Sequence, residues 1–129
     1  MTYRTYSGNT LNSNGNQVVE GSLYFPKLYG NPSIDLHHFP EGAILGVRSQ
    51  ETLRNPKLRP FLERAIAVVT PAKNIPESIA DIVKEKKMIV VGGLQLENLP
   101  EMAHTVSLPV RVNAKGEMEI ISYGSECCK

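Results

Sequence analysis

Residues 74–93 read NIPESIADIVKEKKMIVVGG and carry the clearest secondary-structure pattern of the chain. Its first half carries apolar residues at the spacing of one helix face, namely Ile75, Ile79, Ile82 and Val83. Asn74 and Glu77 have the spacing of a capping box, and lysines close the last turn, where positive charge suits the helix dipole. The apolar run MIVV follows almost at once and ends at two glycines. We therefore predict a helix over residues 75–86 that leads directly into a buried strand.

The segment that precedes this helix fits two structures. Its apolar residues repeat along one helix face from Leu58 to Val69, which predicts a helix over residues 60–68. This helix is expected to begin near Pro60, because a proline deeper inside a helix removes a hydrogen bond. The run AIAVVT also suits a short buried strand, and in that alternative residues 65–91 form a βαβ unit.

The C-terminal part of the chain predicts a β-hairpin over residues 105–123. Apolar residues alternate in its first arm, and the tetrapeptide NAKG at residues 113–116 suits a hairpin loop with glycine in the left-handed conformation. Pro109 in the first arm predicts a strand at the edge of the sheet, or a proline on the side that faces solvent, because proline donates no hydrogen bond to a neighbouring strand. Residues 18–25 and 42–48 are predicted as further strands.

Together these elements predict an α+β protein with a single domain. Its mixed or mainly antiparallel sheet is expected to be packed by two helices, at residues 60–68 and 75–86, and to carry the C-terminal hairpin at residues 105–123. The alternative is an α/β fold built on the βαβ unit at residues 65–91. The length of 129 residues suits one domain.

The two ends of the chain are expected to lie outside the core. Residues 1–17 are polar and predict a flexible N-terminal arm, residues 18–124 form the globular domain, and residues 125–129 form a mobile tail. The N-terminus lacks the apolar segment of a signal peptide, and no apolar run has the length of a membrane span. We therefore expect a cytoplasmic protein without a membrane partner.

Composition and motifs argue against several classes of function. A net charge of +1 and the absence of tryptophan make nucleic acid an unlikely partner, since nucleic-acid binding usually needs a basic field and stacking aromatics. The chain has neither a nucleotide-binding glycine fingerprint nor the Gly-x-Ser-x-Gly of a hydrolase elbow. Cys127 and Cys128 are adjacent in a tail that offers no base to activate a thiol. We expect no cofactor and favour a protein that is not an enzyme.

One candidate binding site is a basic segment. Four arginines within residues 48–64 outnumber the acidic residues there, and they are Arg48, Arg54, Arg59 and Arg64. The planar guanidinium group of arginine matches the oxygens of phosphates and carboxylates. This segment predicts a small anionic ligand of the phosphate or nucleotide type.

A second candidate is a metal site. Its donors are one carboxylate and three imidazoles, from Asp35, His37, His38 and His104. Such groups bind zinc and similar ions, and a metal with an open position activates water. The corresponding hypothesis is a metal-dependent hydrolase.

The hairpin and the polar arm also predict self-association. An exposed sheet edge presents unpaired N–H and C=O groups, which a strand from another subunit satisfies. The preferred hypothesis is therefore a non-enzymatic binding or assembly protein that self-associates through its sheet edges as a homo-oligomer. The anion-binding protein and the metal-dependent hydrolase are the alternatives.

Overall fold

The computed structural model describes residues 4–13, 18–25, 39, 42–95 and 108–120. These residues contain eight β-strands: β1 Arg4–Ser7, β2 Asn9–Asn12, β3 Val18–Tyr24, β4 Ile44–Gly46, β5 Ala67–Val69, β6 Ile89–Gly92, β7 Leu108–Asn113 and β8 Glu117–Ile120. They also contain three short helices and a 3-10 turn: α1 Gln50–Arg54, the turn Pro56–Leu58, α2 Arg59–Arg64 and α3 Glu77–Glu85.

All eight strands belong to one mixed sheet, in the order β1-β8-β7-β3-β4-β5-β6-β2. Strands β3 to β6 run parallel, and the other neighbours pair antiparallel. The two outer strands, β1 and β2, are separated along the chain by Gly8 alone. Because a single residue spans less than 4 Å or so, the sheet has to curl until its two margins meet. The result is a nearly closed barrel.

The predicted α+β fold, a sheet packed by two helices at residues 60–68 and 75–86, is wrong. The helices are short and cover only one face of the sheet, over β4 to β6, while the opposite face lines the barrel interior. The α/β alternative describes only the parallel part, because antiparallel strands complete the barrel. Local sequence patterns do not reveal this closure, since it depends on pairing between residues 4–12 and strands much later in the chain.

Successive side chains of β4 to β6 alternate between two apolar cores. One side chain from each strand packs beneath the helices, and these are Leu45, Val68 and Val90. The remaining apolar side chains of the same strands face the barrel interior, and these are Ile44, Ala67, Val69, Ile89 and Val91. Burial on both faces explains why these strands read as unbroken apolar runs in the sequence.

The helix predicted over residues 60–68 is wrong in its second half. Helix α2 ends at Arg64, Ala65 has an extended backbone with ψ of 152°, and the chain continues into β5. The helical spacing holds as far as Ala65, which lies in the core beneath the helices, whereas Val69 lies in the other core. Strand β5 pairs in parallel with β6 and α3 connects the two, so the βαβ unit at residues 65–91 is present.

Helix α3 packs as the sequence predicts but begins later. Its predicted apolar face is buried, as the exposures of 4, 6 and 0 % show for Ile79, Ile82 and Val83. The predicted strand after it is also confirmed as β6. The N-cap is Pro76, and no side chain caps the first turn. The predicted capping box of Asn74 and Glu77 is therefore wrong, because Asn74 lies two residues ahead of the cap position.

The hairpin predicted over residues 105–123 is confirmed within the described residues. Strands β7 and β8 pair antiparallel, and their loop ends at Gly116, whose φ of +91° suits glycine. The predicted edge position of β7 is wrong, because β7 lies between β3 and β8. In this interior strand Pro109 lies opposite Ser22 of β3.

Residues 4–12, which the sequence assigns to a flexible arm, form β1 and β2. Strand β1 pairs with β8 and β2 pairs with β6. Between them, the amide of Gly8 donates a hydrogen bond to the carbonyl oxygen of Gly116, at 2.8 Å. A Cβ at position 8 would overlap the carbonyl oxygen of Gly92. Glycine at position 8 therefore permits the close approach of residue 8 to the backbone at both Gly92 and Gly116.

The substitution Gly8→Ala is expected to lower the free energy of unfolding by roughly 1–3 kcal/mol, since backbone atoms must shift to admit the Cβ. Urea unfolding followed by circular dichroism measures the change. The matched control is Ser7→Ala, at the exposed neighbouring position. Equal stability of the two variants would contradict the close approach at Gly8.

Helix α3 ends in a Schellman motif that has lysine where glycine is usual. The amide of Met88 donates to the carbonyl of Val83 at 3.1 Å, and the amide of Lys87 donates to the carbonyl of Lys84 at 3.2 Å. Lys87 is left-handed, with φ of 54°. This conformation costs a residue with a Cβ about 1–2 kcal/mol.

Lys87→Gly is therefore expected to raise the free energy of unfolding by up to about 1 kcal/mol, because the strain is relieved while glycine also loses more backbone entropy on folding. Lys87→Ala is the control, since it removes the same side chain but keeps a Cβ in the left-handed conformation. Urea unfolding of both variants measures the difference. A Lys87→Gly protein no more stable than the Lys87→Ala protein would rule out strain at the helix end.

Candidate functional site

The carboxyl ends of four parallel strands meet at one edge of the sheet, which we call the carboxyl edge. Strands β3 to β6 run in the same direction, so the residues that follow them within two positions lie along this edge, and these include Phe25, Arg48, Thr70 and Gly93. In open α/β sheets ligands bind outside the carboxyl ends of the strands, and in barrels of parallel strands the active sites lie at the same ends. The carboxyl edge is therefore a candidate binding site.

Arg48 and Phe25 form a stacked pair at the carboxyl edge. The guanidinium carbon of Arg48 lies 4.2 Å from the centroid of the Phe25 ring, within the range of a cation–π interaction. A Cβ on Gly46 would lie 2.5–2.8 Å from three atoms of the same ring, so the ring rests on bare backbone. The pairing of Tyr24 with Leu45 in the ladder between β3 and β4 brings these neighbours together. The sheet itself thus positions the stacked pair.

The surroundings of Arg48 suit contact with an anion. The contact places the guanidinium carbon over the Phe25 ring, and the guanidinium group carries several N–H donors that match the oxygens of anions. Partial burial lowers the pKa of Arg48 from its ordinary value, because burial disfavours the charged form. Arginine is basic enough to keep its charge at neutral pH nonetheless. Arg48 as a whole is exposed, so an anion in solution can reach this position.

The loops after β5 and β6 are hydrogen-bonded to each other. The amide of Gly93 donates to the carbonyl of Ala72 at 3.0 Å, and the amide of Leu94 donates to the carbonyl of Thr70 at 3.2 Å. Thr70 is fully buried, and its Oγ1 accepts from the amide of Ala72 at 3.1 Å. Because these amides already have partners, the glycine pair at residues 92–93 turns the chain and offers no cradle for a phosphate.

Ser49 follows Arg48 and serves as the N-cap of α1. Its Oγ accepts from the amide of Thr52 at 3.2 Å and lies 2.9 Å from the Thr52 hydroxyl. This cap ends the extended segment after β4 and begins a helix of five residues. It therefore fixes the point at which the chain turns away from the carboxyl edge, directly after Arg48.

Arg59 is engaged within the protein. Its guanidinium group donates to both carboxylate oxygens of Asp81, at 2.8 and 3.4 Å, and to the carbonyl of Ser78 at 3.1 Å. These bonds join α2 to α3 on an exposed surface. The hydrogen bond between the two side chains raises the pKa of Arg59 and lowers that of Asp81. Arg59 thus stabilises the contact between two helices.

The other predicted arginines lie in different surroundings. Arg64 donates to the carbonyl of Phe39 at 3.2 Å, and so joins α2 to the segment ahead of β4. Arg54 is exposed in the last turn of α1. Of the four arginines predicted to bind a ligand, Arg48 is the one that the described contacts place at the carboxyl edge.

The residues of the predicted metal site lie outside the described residues, and these are Asp35, His37, His38 and His104. Cys127 and Cys128 lie outside them too. In the part of the chain that the structure describes, no three side chains of His, Cys, Asp or Glu are grouped closely enough to hold a metal ion. The metal-dependent hydrolase therefore stays a prediction.

Sequence reasoning missed Phe25 and Gly46 as parts of a site. The available signal is the glycine inside the apolar run GAILGVR, two positions ahead of Arg48. A glycine within a strand often marks the close approach of another group. The sequence does not show which group approaches Gly46, because Phe25 lies some twenty residues earlier in the chain.

Comparisons with known proteins supply no relative. No protein-family model matches the chain, and a search of the curated proteins finds no significant match. Among the described residues, no helix combines the length and the apolar character needed to cross a membrane. The candidate site is therefore defined by its geometry.

The ion pair between Arg59 and Asp81 predicts a pH dependence. Because the pKa of Asp81 is lowered in the folded state, its contribution to stability is present above the unfolded-state pKa and is lost as the pH falls through the folded-state value. Asp81→Asn should therefore lower the melting temperature slightly at pH 7, and the difference from the parent protein should close below about pH 4. Thermal unfolding at a series of pH values measures both.

The control for this prediction is the same substitution in an Arg59→Gln background. There the partner of Asp81 is missing, so Asp81→Asn should change the melting temperature little at any pH. A gap between Asp81→Asn and the parent that persists unchanged into strong acid would show that the carboxylate is not the source of the effect.

Proposed function

We propose that the protein is a non-enzymatic binding protein for small anionic ligands of the phosphate or nucleotide type. The ligand binds at the carboxyl edge, where the guanidinium group of Arg48 donates to its oxygens. The observation that supports this most directly is the stacking of Arg48 on Phe25, with 4.2 Å between the guanidinium carbon and the ring centroid. A guanidinium group that already rests against a ring loses less freedom on binding, and its planar fork matches phosphate oxygens.

The other arginines have supporting roles in this proposal. Arg54 is exposed in the helix that begins two residues after Arg48, and it adds positive charge near the same loop. Arg59 and Arg64 donate to groups of the protein and hold α2 in place. The proposal therefore assigns ligand contact to Arg48 and structural support to the second half of the basic segment.

Self-association through sheet edges, which the sequence favours, has weaker support. Strand β7 lies inside the sheet. The segment that carries the two outer strands is also in contact with the hairpin loop, since the Thr10 hydroxyl donates to the carbonyl of Ala114 and the Gly8 amide to that of Gly116. Edge-to-edge pairing needs an open row of N–H and C=O groups. A homo-oligomer formed in that way stays a prediction, as does the cytoplasmic location.

The test is thermal unfolding with inorganic phosphate, pyrophosphate and a panel of nucleoside mono- and triphosphates. A ligand at a hundredfold excess over its dissociation constant stabilises the folded state by about 2.7 kcal/mol and so raises the melting temperature. Arg48→Gln should remove most of this rise, because it removes the charge and the planar fork while keeping a polar side chain.

The matched control is Arg59→Gln, in a residue of the same type that is already paired with Asp81. This variant should melt at a lower temperature but show the same rise on addition of ligand. Absence of any rise across the panel, or an equal rise in the parent and the Arg48→Gln protein, would refute ligand binding at the carboxyl edge.

A further inference from the structure

We infer that residues 4–12 form an exchangeable strand, whose place in the sheet is taken by the same residues of a second copy of this chain. We call residues 4–12 the closing segment. In the closed form it bridges β8 and β6 of its own chain. In the exchanged form it bridges β8 and β6 of the partner, and each copy closes the barrel of the other. This inference is independent of the proposed ligand site.

Hydrogen bonds hold the closing segment in place. Strand β1 pairs with β8 over four residues, and β2 pairs with β6 with an irregularity between Thr10 and Asn12. Two side chains add bonds of 2.7 Å, from the Thr10 hydroxyl to the carbonyl of Ala114 and from the Asn12 amide to the carbonyl of Met88. Water satisfies all these groups when the segment leaves, so each bond opposes departure only modestly.

Few apolar side chains anchor the closing segment. Among its described side chains Tyr6 alone is buried, at 8 % exposed, and Leu11 is partly buried against the core beneath the helices. By contrast, every residue of β5 and β6 is buried. Segments with little buried apolar surface open at a lower free energy than the core does. The closing segment is thus the part of the described sheet that separates most readily.

The topology allows this separation without unfolding the rest. Strands β1 and β2 are the outer strands, so the other six remain paired in the order β8-β7-β3-β4-β5-β6 after the closing segment leaves. The exposed edge of β6 then carries three apolar β-branched residues, Ile89, Val90 and Val91. An open edge of this kind pairs readily with another strand.

A second copy of the chain is the occupant that the geometry favours. Its closing segment has the sequence and the register that the gap between β8 and β6 already accepts. Exchange in both directions gives a symmetric dimer in which every contact of the closed form is restored between chains. The only new cost is the association of two molecules, so the exchanged form should increase with protein concentration.

Disulfide formation between chains tests the exchange. Thr5 and Glu119 are directly opposite each other in the ladder between β1 and β8, and both side chains are accessible. Each substitution, Thr5→Cys and Glu119→Cys, is made in a separate protein that also carries Cys127→Ser and Cys128→Ser. The two proteins are mixed at high concentration, incubated and mildly oxidised. Exchange brings the two cysteines of different chains into disulfide range, so a mixed disulfide dimer should form.

The collision control replaces Thr5→Cys with Glu85→Cys, on the exposed side of α3. The mixed dimer of the test pair should exceed that of the control pair several-fold and should increase with concentration. The double variant Thr5→Cys/Glu119→Cys, oxidised in dilute solution, should instead form the bond within one chain. A test pair that cross-links no more than the control pair overturns the inference, whether or not the double variant closes within its own chain.

Discussion

In β4, β5 and β6 neighbouring side chains point in opposite directions, and both directions are buried. Leu45, Val68 and Val90 contact the helices, while the residues beside them fill the barrel. Leaving either face in water would forfeit about 25 cal/mol for every Å² of apolar surface. The chain therefore has to cover both faces of three short strands. The helices supply one cover, and the curled antiparallel strands supply the other.

The second cover explains why the sheet closes. Strands β3, β7 and β8 bend over the interior core, and the polar segment at residues 4–12 bridges the remaining gap. Its order comes from the open margins of β6 and β8, which offer it backbone partners. Glycine at position 8 permits the change of partner within a single residue. Residues 4–12 are thereby ordered by pairing with strands whose apolar core is formed mainly by the rest of the chain.

The same arrangement separates arginines that stand close together in the sequence. Arg59 and Arg64 lie on the helix side and bond to neighbouring elements, so their charges contribute to packing. Arg48 follows a strand and lies against Phe25 at the carboxyl edge. Basic residues of one segment thus lie in two kinds of surroundings, because some belong to a helix and one follows the end of a strand. The proposed ligand contact belongs to the strand end alone.

Strong local periodicity was enough to predict the buried face of α3, the strand at Ile89–Gly92 and the hairpin with its turn at Gly116. The sequence also contained the βαβ unit as one of two interpretations of residues 65–91. The choice between helix and strand at Ala67 and Val68 came from the fold, because both residues are apolar and suit either element, and parallel partners on each side make them a strand. The closure of the sheet and the contact between Phe25 and Arg48 could not be predicted from the sequence either. Both join residues that are distant in the chain, and such contacts leave no periodic pattern in the sequence.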